Sequence, residues 1–169
     1  MPNPVSGAFN PLHQAHLEIA KFAQNRLGQP VWFEISVINV DEGALSFEQA
    51  DARTQQSFGP HGLILTRAAT FESKTALFKG SVFVVGVDTV LRIAQPKYYD
   101  NSRSKMERAL EAFKNYQCRF LVFARKKGNK LYSGSNIDLL PALSEICDFV
   151  APEEFHLDIS STQLRRVDE

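Results

Sequence analysis

The chain has 169 residues, which is enough for one domain with a sizeable buried core and too few for two ordinary domains. Its 19 basic and 19 acidic residues cancel, so no general electrostatic field attracts nucleic acid or an anionic membrane. No stretch approaches the roughly 18 apolar residues of a membrane helix, and no apolar secretion signal begins the sequence. Composition therefore predicts a single domain, residues 1–169, in the cytoplasm, with neither nucleic acid nor membrane as a partner.

The chain has two cysteines, Cys118 and Cys147. Their spacing is not that of metal-ligating cysteines, and an isolated pair without a secretory signal is typical of reduced thiols in the cytoplasm. We expect both to be structural thiols. The composition is compatible with a monomer or a homo-oligomer.

The first chemically informative stretch follows a short first strand. Gly7 favours a turn and carries no side chain to keep a ligand away from the main chain. Asn10 is a good helix N-cap and Pro11 is tolerated at the first helical position, so a helix is predicted to begin there. His13 and His16 are three apart and would be neighbours on one face. Free N–H groups and the positive dipole end lie beside them, and such a place binds phosphate.

Strands and helices alternate along the rest of the chain. The first strand is predicted to be only two or three residues long, because Pro2 and Pro4 cannot donate to a ladder. Further strands are predicted at 31–40, 63–65, 82–87, 119–124 and 149–150. Helices are predicted at 46–58, 66–78, 89–94, 105–116 and 136–146. This alternation predicts an α/β fold with a doubly wound, Rossmann-like parallel sheet and helices on both faces.

Three loops follow predicted strands and carry polar residues, at 7–16, 39–44 and 86–88. Ligands bind at the carboxyl ends of the strands in open parallel sheets, so these loops are expected to converge on one site. The basic run 125–130 most simply predicts a solvated turn.

A second phosphate-binding pattern lies near the C-terminus, at residues 158–166. Ser160, Ser161 and Thr162 are followed by Arg165, a combination whose hydroxyls, free N–H groups and guanidinium can hold a polyphosphate. Alone, the same residues also fit an ordinary capping sequence before a surface helix.

Together these motifs resemble one family. G-A-F-N-P-L-H-Q-A-H, from Gly7 to His16, resembles the G-x-F-x-P-x-H-x-G-H signature of the nucleotidyltransferase superfamily that includes cytidylyltransferases and nicotinamide or nicotinate mononucleotide adenylyltransferases. I-S-S-T-Q-L-R, from Ile159 to Arg165, resembles its I-S-x-T-x-x-R element. The sequence V-G-V-D, which ends at Asp88, resembles its strand-end G-x-D element.

The resemblance implies transfer of a nucleoside monophosphate from ATP or CTP to a phosphorylated small-molecule acceptor, with release of pyrophosphate. Magnesium would arrive on the triphosphate, because no carboxylate cluster in the sequence suits an all-protein metal site. The implied catalytic residues are His13, His16 and Arg165. The implied nucleotide-binding residues are Gly7, Ala8, Phe9, Ala15, Gly86, Asp88, Ile159, Ser160, Ser161 and Thr162. Asp88 would accept hydrogen bonds from the ribose; capping of the helix that follows its strand is an equally open role for it. The acceptor is expected near Asn39 and Asp41.

Two departures from the family pattern keep other functions open. Ala15 replaces the second glycine of the signature, and its methyl is expected to crowd a nucleotide. Asp41 and Glu42 stand where a basic residue often follows the second strand. A catalytically weakened nucleotide-binding or regulatory module is therefore one alternative. Another phosphate-using enzyme on the same fold is a second, since fold alone does not decide chemistry.

Overall fold

The computed structural model describes residues 1–155 of the chain. In chain order its strands are β1 (Asn3–Ser6), β2 (Val31–Ser36), β3 (Ile38–Asn39), β4 (Gly43–Ala44), β5 (Leu63–Thr66), β6 (Val82–Gly86), β7 (Arg119–Phe123), β8 (Arg125–Lys127), β9 (Lys130–Tyr132) and β10 (Cys147–Val150). Its helices are α1 (Gln14–Leu27), α2 (Phe47–Thr54), α3 (Phe71–Leu77), α4 (Val87–Ile93), α5 (Arg103–Asn115) and α6 (Pro141–Ser144), with a 3-10 helix at Pro96–Tyr99. None of the helices in this range is long and apolar enough to cross a membrane.

Six strands form one parallel sheet in the order β5-β2-β1-β6-β7-β10. The chain builds outward from β1 through β2 to β5, then returns to the other side of β1 and adds β6, β7 and β10. This reversal confirms the predicted doubly wound, Rossmann-like fold. The strand order changes direction between β1 and β6, and the crevice beyond the carboxyl ends of these two strands is where such sheets bind ligands.

Helices cover both faces of the sheet, as predicted. Ala20 and Ala23 of α1 pack with Phe33 of β2 on one face. Phe113 of α5 packs with Phe83 of β6 on the other. Adjacent strand residues face opposite sides, so these buried strands are apolar on both faces and fix the register of the sheet.

The first strand is longer and more central than predicted, although Pro4 lies within it. Strand β1 has four residues and pairs with the strands on both sides of it, β2 and β6. The Asn3 side chain, only 1% exposed, compensates for the limited ladder: its Oδ1 accepts a hydrogen bond from the Val82 N–H at 2.8 Å. The Asn3 N–H donates to the Pro30 carbonyl at 2.9 Å. A buried side-chain amide thus replaces backbone pairing that a proline disfavours.

The predicted start of the first helix at Asn10 and Pro11 is wrong. Helix α1 begins at Gln14, and His13 is its N-cap. The intervening loop is held by Gln56, a residue distant in sequence, which bonds to the backbone on both sides of Pro11. A tertiary contact therefore overrides the local helix signal.

Several other boundaries also differ from the predictions: the helix predicted at 136–146 is Pro141–Ser144, the strand predicted at 149–150 is Cys147–Val150, and the helix predicted at 89–94 is Val87–Ile93. Two further differences bear on the site. The strand predicted at 31–40 ends at Ser36, whose Oγ donates to the Ala68 carbonyl at 2.8 Å, and the small hairpin of β3 and β4 follows. The helix predicted from Thr66 begins instead at Phe71 with Thr70 as its N-cap, because Thr66 is still part of β5. Both changes lengthen loops at the carboxyl edge of the sheet, where ligands bind.

The two cysteines are free and buried, as expected of structural thiols. Burial raises the pKa of both thiols, that of Cys147 to about 12. Both therefore remain protonated and unreactive near neutral pH.

Candidate functional site

Two clefts open at the carboxyl edge of the sheet, and residues 6–8 together with Thr89 form a wall that they share. The first, here called the histidine cleft, lies between the N-terminal end of α1 and the ends of β6 and β7. The second, here called the tyrosine cleft, lies between the β3–β4 hairpin, α3, α4 and the 3-10 helix. Ligands in the two clefts would therefore meet at the end of β1.

Gln56 holds the loop between β1 and α1. Its Oε1 accepts a hydrogen bond from the Leu12 N–H at 2.5 Å, and its Nε2 donates to the Phe9 carbonyl at 2.8 Å. Phe9 has a φ of 46°, in the left-handed region that side-chain-bearing residues rarely adopt. The strained angle of the turn thus falls on Phe9 and not on Gly7. Strain of this kind is common at functional sites and needs support from surrounding contacts such as those of Gln56.

Gly7 and Gly86 serve different purposes. A Cβ added at Gly7 would lie 2.9 Å from Cζ of Phe9, so the glycine is required by packing of the loop on itself. A Cβ at Gly86 would meet nothing within 4 Å, so this glycine leaves open space in the cleft. Gly86 is also the N-cap of α4. Close approach of a ligand to the backbone is therefore available at the end of β6.

His13 and His16 lie together on the wall of the histidine cleft. Their rings stack with centroids 3.8 Å apart, and the edge-to-face contact of Phe9 with His16 has a centroid distance of 5.0 Å. The His13 N–H donates to Nδ1 of His16 at 3.2 Å. In the neutral His16 ring the proton is therefore on Nε2, which makes Nε2 a hydrogen-bond donor.

Both histidines are held in the neutral form. Burial lowers the pKa of His13. Burial and the nearby His13 lower the pKa of His16 to about 4. Both ring nitrogens of His13 are buried and have no hydrogen-bond partner among the described residues. A buried polar group of this kind costs free energy unless a ligand or water satisfies it. The N–H of the neutral His13 ring suits an acceptor such as a phosphate oxygen, whereas its second nitrogen requires a donor.

Ala15 is buried at 6% exposure and lines the same cleft from the first turn of α1. Ala8 and Phe9 line it from the loop, which places all the expected nucleotide-binding residues of the first motif around one space.

Asp88 lies in the first turn of α4, whose N-cap is Gly86, so Asp88 does not cap this helix; it forms an ion pair with Arg125. Arg125 is the first residue of β8, directly beyond the end of β7. Both side chains line the histidine cleft. The run 125–130, predicted as a solvated turn, is in fact the hairpin of β8 and β9, and its first residue is part of the site.

The tyrosine cleft contains Asn39, near which the acceptor is predicted, together with Arg53, Arg92, Tyr98 and Tyr99. Asp41 is at its rim, where it forms an ion pair with Arg92 of α4. Arg53 of α2 has no ion-pair partner among the described residues. Asp41 therefore neutralises Arg92, one of the two arginines that line this cleft, and within the described residues leaves Arg53 available to an anion.

A buried charged group lies under the tyrosine cleft. Glu34, in the middle of β2, is 0% exposed; its Oε2 accepts from Lys74 Nζ at 2.8 Å and its Oε1 from the Thr66 hydroxyl at 2.5 Å. Lys74 is 6% exposed, lines the cleft and lies 4.8 Å from the centroid of the Phe71 ring. Both carboxylate oxygens are satisfied, which makes burial of the ion pair tolerable.

The second predicted motif lies outside the described residues: Ile159, Ser160, Ser161, Thr162 and Arg165. Its position relative to the histidine cleft therefore stays a prediction. Among residues 1–155 no group of three or more His, Cys, Asp or Glu side chains is placed to hold a metal ion.

Sequence reasoning brought together His13, His16, Gly86 and Asp88 but missed other residues of the site. Each of these residues comes from a distant element: Gln56 holds the loop before α1, Arg125 lines the histidine cleft and Lys74 lines the tyrosine cleft. One local signal was present: Glu34 interrupts an otherwise apolar strand, which requires either exposure or a buried cation.

The family model described as cytidylyltransferase-like matches residues 5–167. This match covers both sequence motifs and the whole parallel sheet apart from the start of β1. A search of curated proteins found no match.

Proposed function

Because the chain belongs to the cytidylyltransferase-like family, we propose that it transfers a nucleoside monophosphate from ATP or CTP to a phosphorylated small molecule. Family membership supports nucleotidyl transfer as the general class of reaction. The triphosphate would bind in the histidine cleft and the acceptor in the tyrosine cleft, as in a mononucleotide adenylyltransferase-like or cytidylyltransferase-like enzyme.

The observation that carries this proposal is the shared wall at residues 6–8. Two clefts with different chemistry meet there, one with histidine donors and one with an available arginine. Two bound substrates would have their phosphates side by side, and such positioning supplies much of the rate enhancement in phosphoryl-type transfers.

In the proposed reaction an oxygen of the acceptor phosphate attacks the α-phosphorus of the triphosphate. The new P–O bond forms as the bond to the β-phosphate oxygen breaks, and pyrophosphate carries away the electron pair. No protein nucleophile takes part. Nε2–H of His16 and the first N–H groups of α1 would stabilise the charge that develops on the phosphate oxygens.

Arg53 would hold the acceptor phosphate from the other side, because its guanidinium has five donors and no competing carboxylate among the described residues. Magnesium would enter as the complex with the triphosphate. Arg165 and the hydroxyls of residues 160–162 would complete the polyphosphate site, as the family resemblance implies.

A nucleotide-binding module without turnover is the second candidate. Two observations favour it: the buried methyl of Ala15 lies against the histidine cleft, and Asp41 neutralises Arg92 in the tyrosine cleft. Such a module would bind the triphosphate without releasing pyrophosphate.

The test is a screen of magnesium ATP and magnesium CTP against phosphate monoesters, with pyrophosphate release as the measurement. We expect release with at least one pair, and its loss in His16→Asn. His61→Asn is the matched control, since His61 lies outside both clefts and its Nδ1 is 2.9 Å from the Val31 carbonyl oxygen. Triphosphate binding without pyrophosphate release from any pair would favour the binding module.

A further inference from the structure

We propose that Arg125 binds the polyphosphate of the nucleotide and that Asp88 is its positioning partner instead of a ligand of the ribose. This inference rests on the proposed binding of a nucleoside triphosphate in the histidine cleft. It assigns a phosphate-binding role to the β8–β9 hairpin, which belongs to neither sequence motif.

The position of Arg125 supports this role. It follows β7 by two residues, so it lies at the carboxyl edge of the sheet, in the same cleft as His13, His16 and Gly86. The histidines reach this space from the start of α1, after β1, and the guanidinium from beyond β7, with β6 between these two strands. A polyphosphate between them would contact donors on two sides.

The hydrogen bonding of Arg125 leaves it donors to spare. A guanidinium has five N–H donors, and within residues 1–155 that of Arg125 is bonded only through Nη1, to Oδ2 of Asp88. Its side chain is 40% exposed within the cleft. One ion pair therefore fixes the direction of the guanidinium while its other N–H groups remain available to phosphate oxygens, which arginine binds well.

The hairpin that carries Arg125 is anchored at its base. Arg125 is paired with Tyr132 in the hairpin, and the turn after β9 is closed by Asn136, whose side chain bonds to Ser133 N–H at 2.8 Å and to the Leu131 carbonyl at 2.5 Å. The hairpin thus fixes the backbone of Arg125, and Asp88 fixes its guanidinium.

The same ion pair gives Asp88 a role that needs no bond to the ribose. Oδ2 of Asp88 is engaged by Arg125, so the carboxylate orients the guanidinium through a charge-assisted hydrogen bond. Discrimination between ribose and deoxyribose would then not depend on Asp88. This consequence separates the inference from the role that the family resemblance implies for Asp88.

The experiment measures dissociation constants by calorimetry for magnesium ATP, magnesium CTP, their 2′- and 3′-deoxy forms, and the parent nucleosides. The variants are Arg125→Gln, Asp88→Asn and the double variant. Arg119→Gln is the matched control: Arg119 begins β7, at the opposite edge of the sheet, and its ion pair with Asp148 is similarly exposed.

We expect Arg125→Gln to weaken triphosphate binding about tenfold or more without changing nucleoside binding. Asp88→Asn should weaken the binding of ribonucleotides and deoxynucleotides by the same factor. The double variant should bind triphosphates no more weakly than Arg125→Gln does. Arg119→Gln should bind as the unaltered protein does.

The inference is overturned if Arg125→Gln binds triphosphates unchanged, or if Asp88→Asn weakens ribonucleotides while leaving deoxynucleotides unaffected. Failure of the unaltered protein to bind either triphosphate would instead reject the proposed function, and the inference with it. The two outcomes that overturn the inference alone can be recognised because both require measurable triphosphate binding by the unaltered protein.

Discussion

The histidine cleft and the tyrosine cleft share one wall but obtain their polar groups in different ways. His13 and His16 come from the N-terminal end of one helix, α1, and are held neutral by burial. The tyrosine cleft is floored by a buried ion pair between Glu34 and Lys74, which lie 40 residues apart. The histidine pair of the first cleft is therefore encoded locally, whereas the floor of the second depends on the assembled fold. Perturbing the two should have different effects on stability and on binding.

The largest effect is expected at the floor of the tyrosine cleft. Lys74→Met leaves the Glu34 carboxylate buried without its cation, which should lower the free energy of unfolding by about 3–5 kcal/mol. Urea denaturation would measure this loss.

The matched control is the double variant Glu34→Leu/Lys74→Met, which removes both charges and should recover most of the lost stability. A double variant as unstable as Lys74→Met would show that the packing of these side chains, and not the unpaired charge, determines stability here.

The histidine cleft should give the next largest effect, as a dependence of stability on pH. The folded pKa of His16 is lowered from 6.5 to about 4, so between these values the unfolded chain binds more protons than the folded one. Its contribution is fully present above pH 6.5 and is lost as the pH falls towards 4. The loss is at most about 3 kcal/mol, less the screening by solvent.

Denaturation at a series of pH values would measure this slope. His16→Gln should flatten the curve between pH 6.5 and 4. An unchanged slope in the variant would assign the pH dependence to other groups.

Gln56 offers a way to disturb the histidine cleft without touching its ligands. Gln56→Met removes both hydrogen bonds to the loop between β1 and α1, so the histidines lose their fixed position. We expect kcat to fall about tenfold or more, with a loss of about 1–3 kcal/mol in stability. Steady-state kinetics and a melting curve would measure the two effects.

Gln49→Met is the control for Gln56→Met. Oε1 of Gln49 accepts a hydrogen bond from the Ser46 N–H at the start of α2, away from the loop between β1 and α1. Equal losses of kcat in the two variants would mean that the integrity of α2, and not the two hydrogen bonds of Gln56 to the loop, controls turnover.

The smallest effect is expected at Ala15. Ala15→Gly should improve nucleotide affinity if the buried methyl crowds the ligand, while costing about 0.5–1 kcal/mol of stability, because glycine is the poorer helix residue. Calorimetry and melting temperature on the same pair of proteins would separate the two effects. A loss of affinity on introducing glycine would reject crowding and assign Ala15 to an adjusted site.

The sequence pattern predicted those features of the site that depend on residues close together in the chain. The spacing of His13 and His16 correctly placed their rings together, and the polar residues after the strands correctly indicated the edge of the sheet that carries the clefts. The helix start at Asn10 was wrong because Gln56, 44 residues away from Leu12, holds the loop open.

Contacts between distant residues could not be obtained from the pattern. Asp88 and Arg125 are 37 residues apart, and their pairing follows from the neighbouring positions of β6 and β7 in the sheet. The basic run that contains Arg125 looked like a solvated turn, since its lysines are polar and a hairpin of three-residue strands leaves little periodicity. The strand order that joins these elements is a property of the whole chain.

The most direct test of the account is a long-range 1H–15N spectrum of the histidine side chains during titration with magnesium ATP and magnesium CTP. We predict that His16 is the Nε2–H tautomer, and that at least one nucleotide, at up to about 1 mM, shifts the His13 and His16 signals while those of His61 stay unchanged. A triphosphate that shifts no histidine, or shifts His61 as much as His16, would contradict nucleotide binding in the histidine cleft.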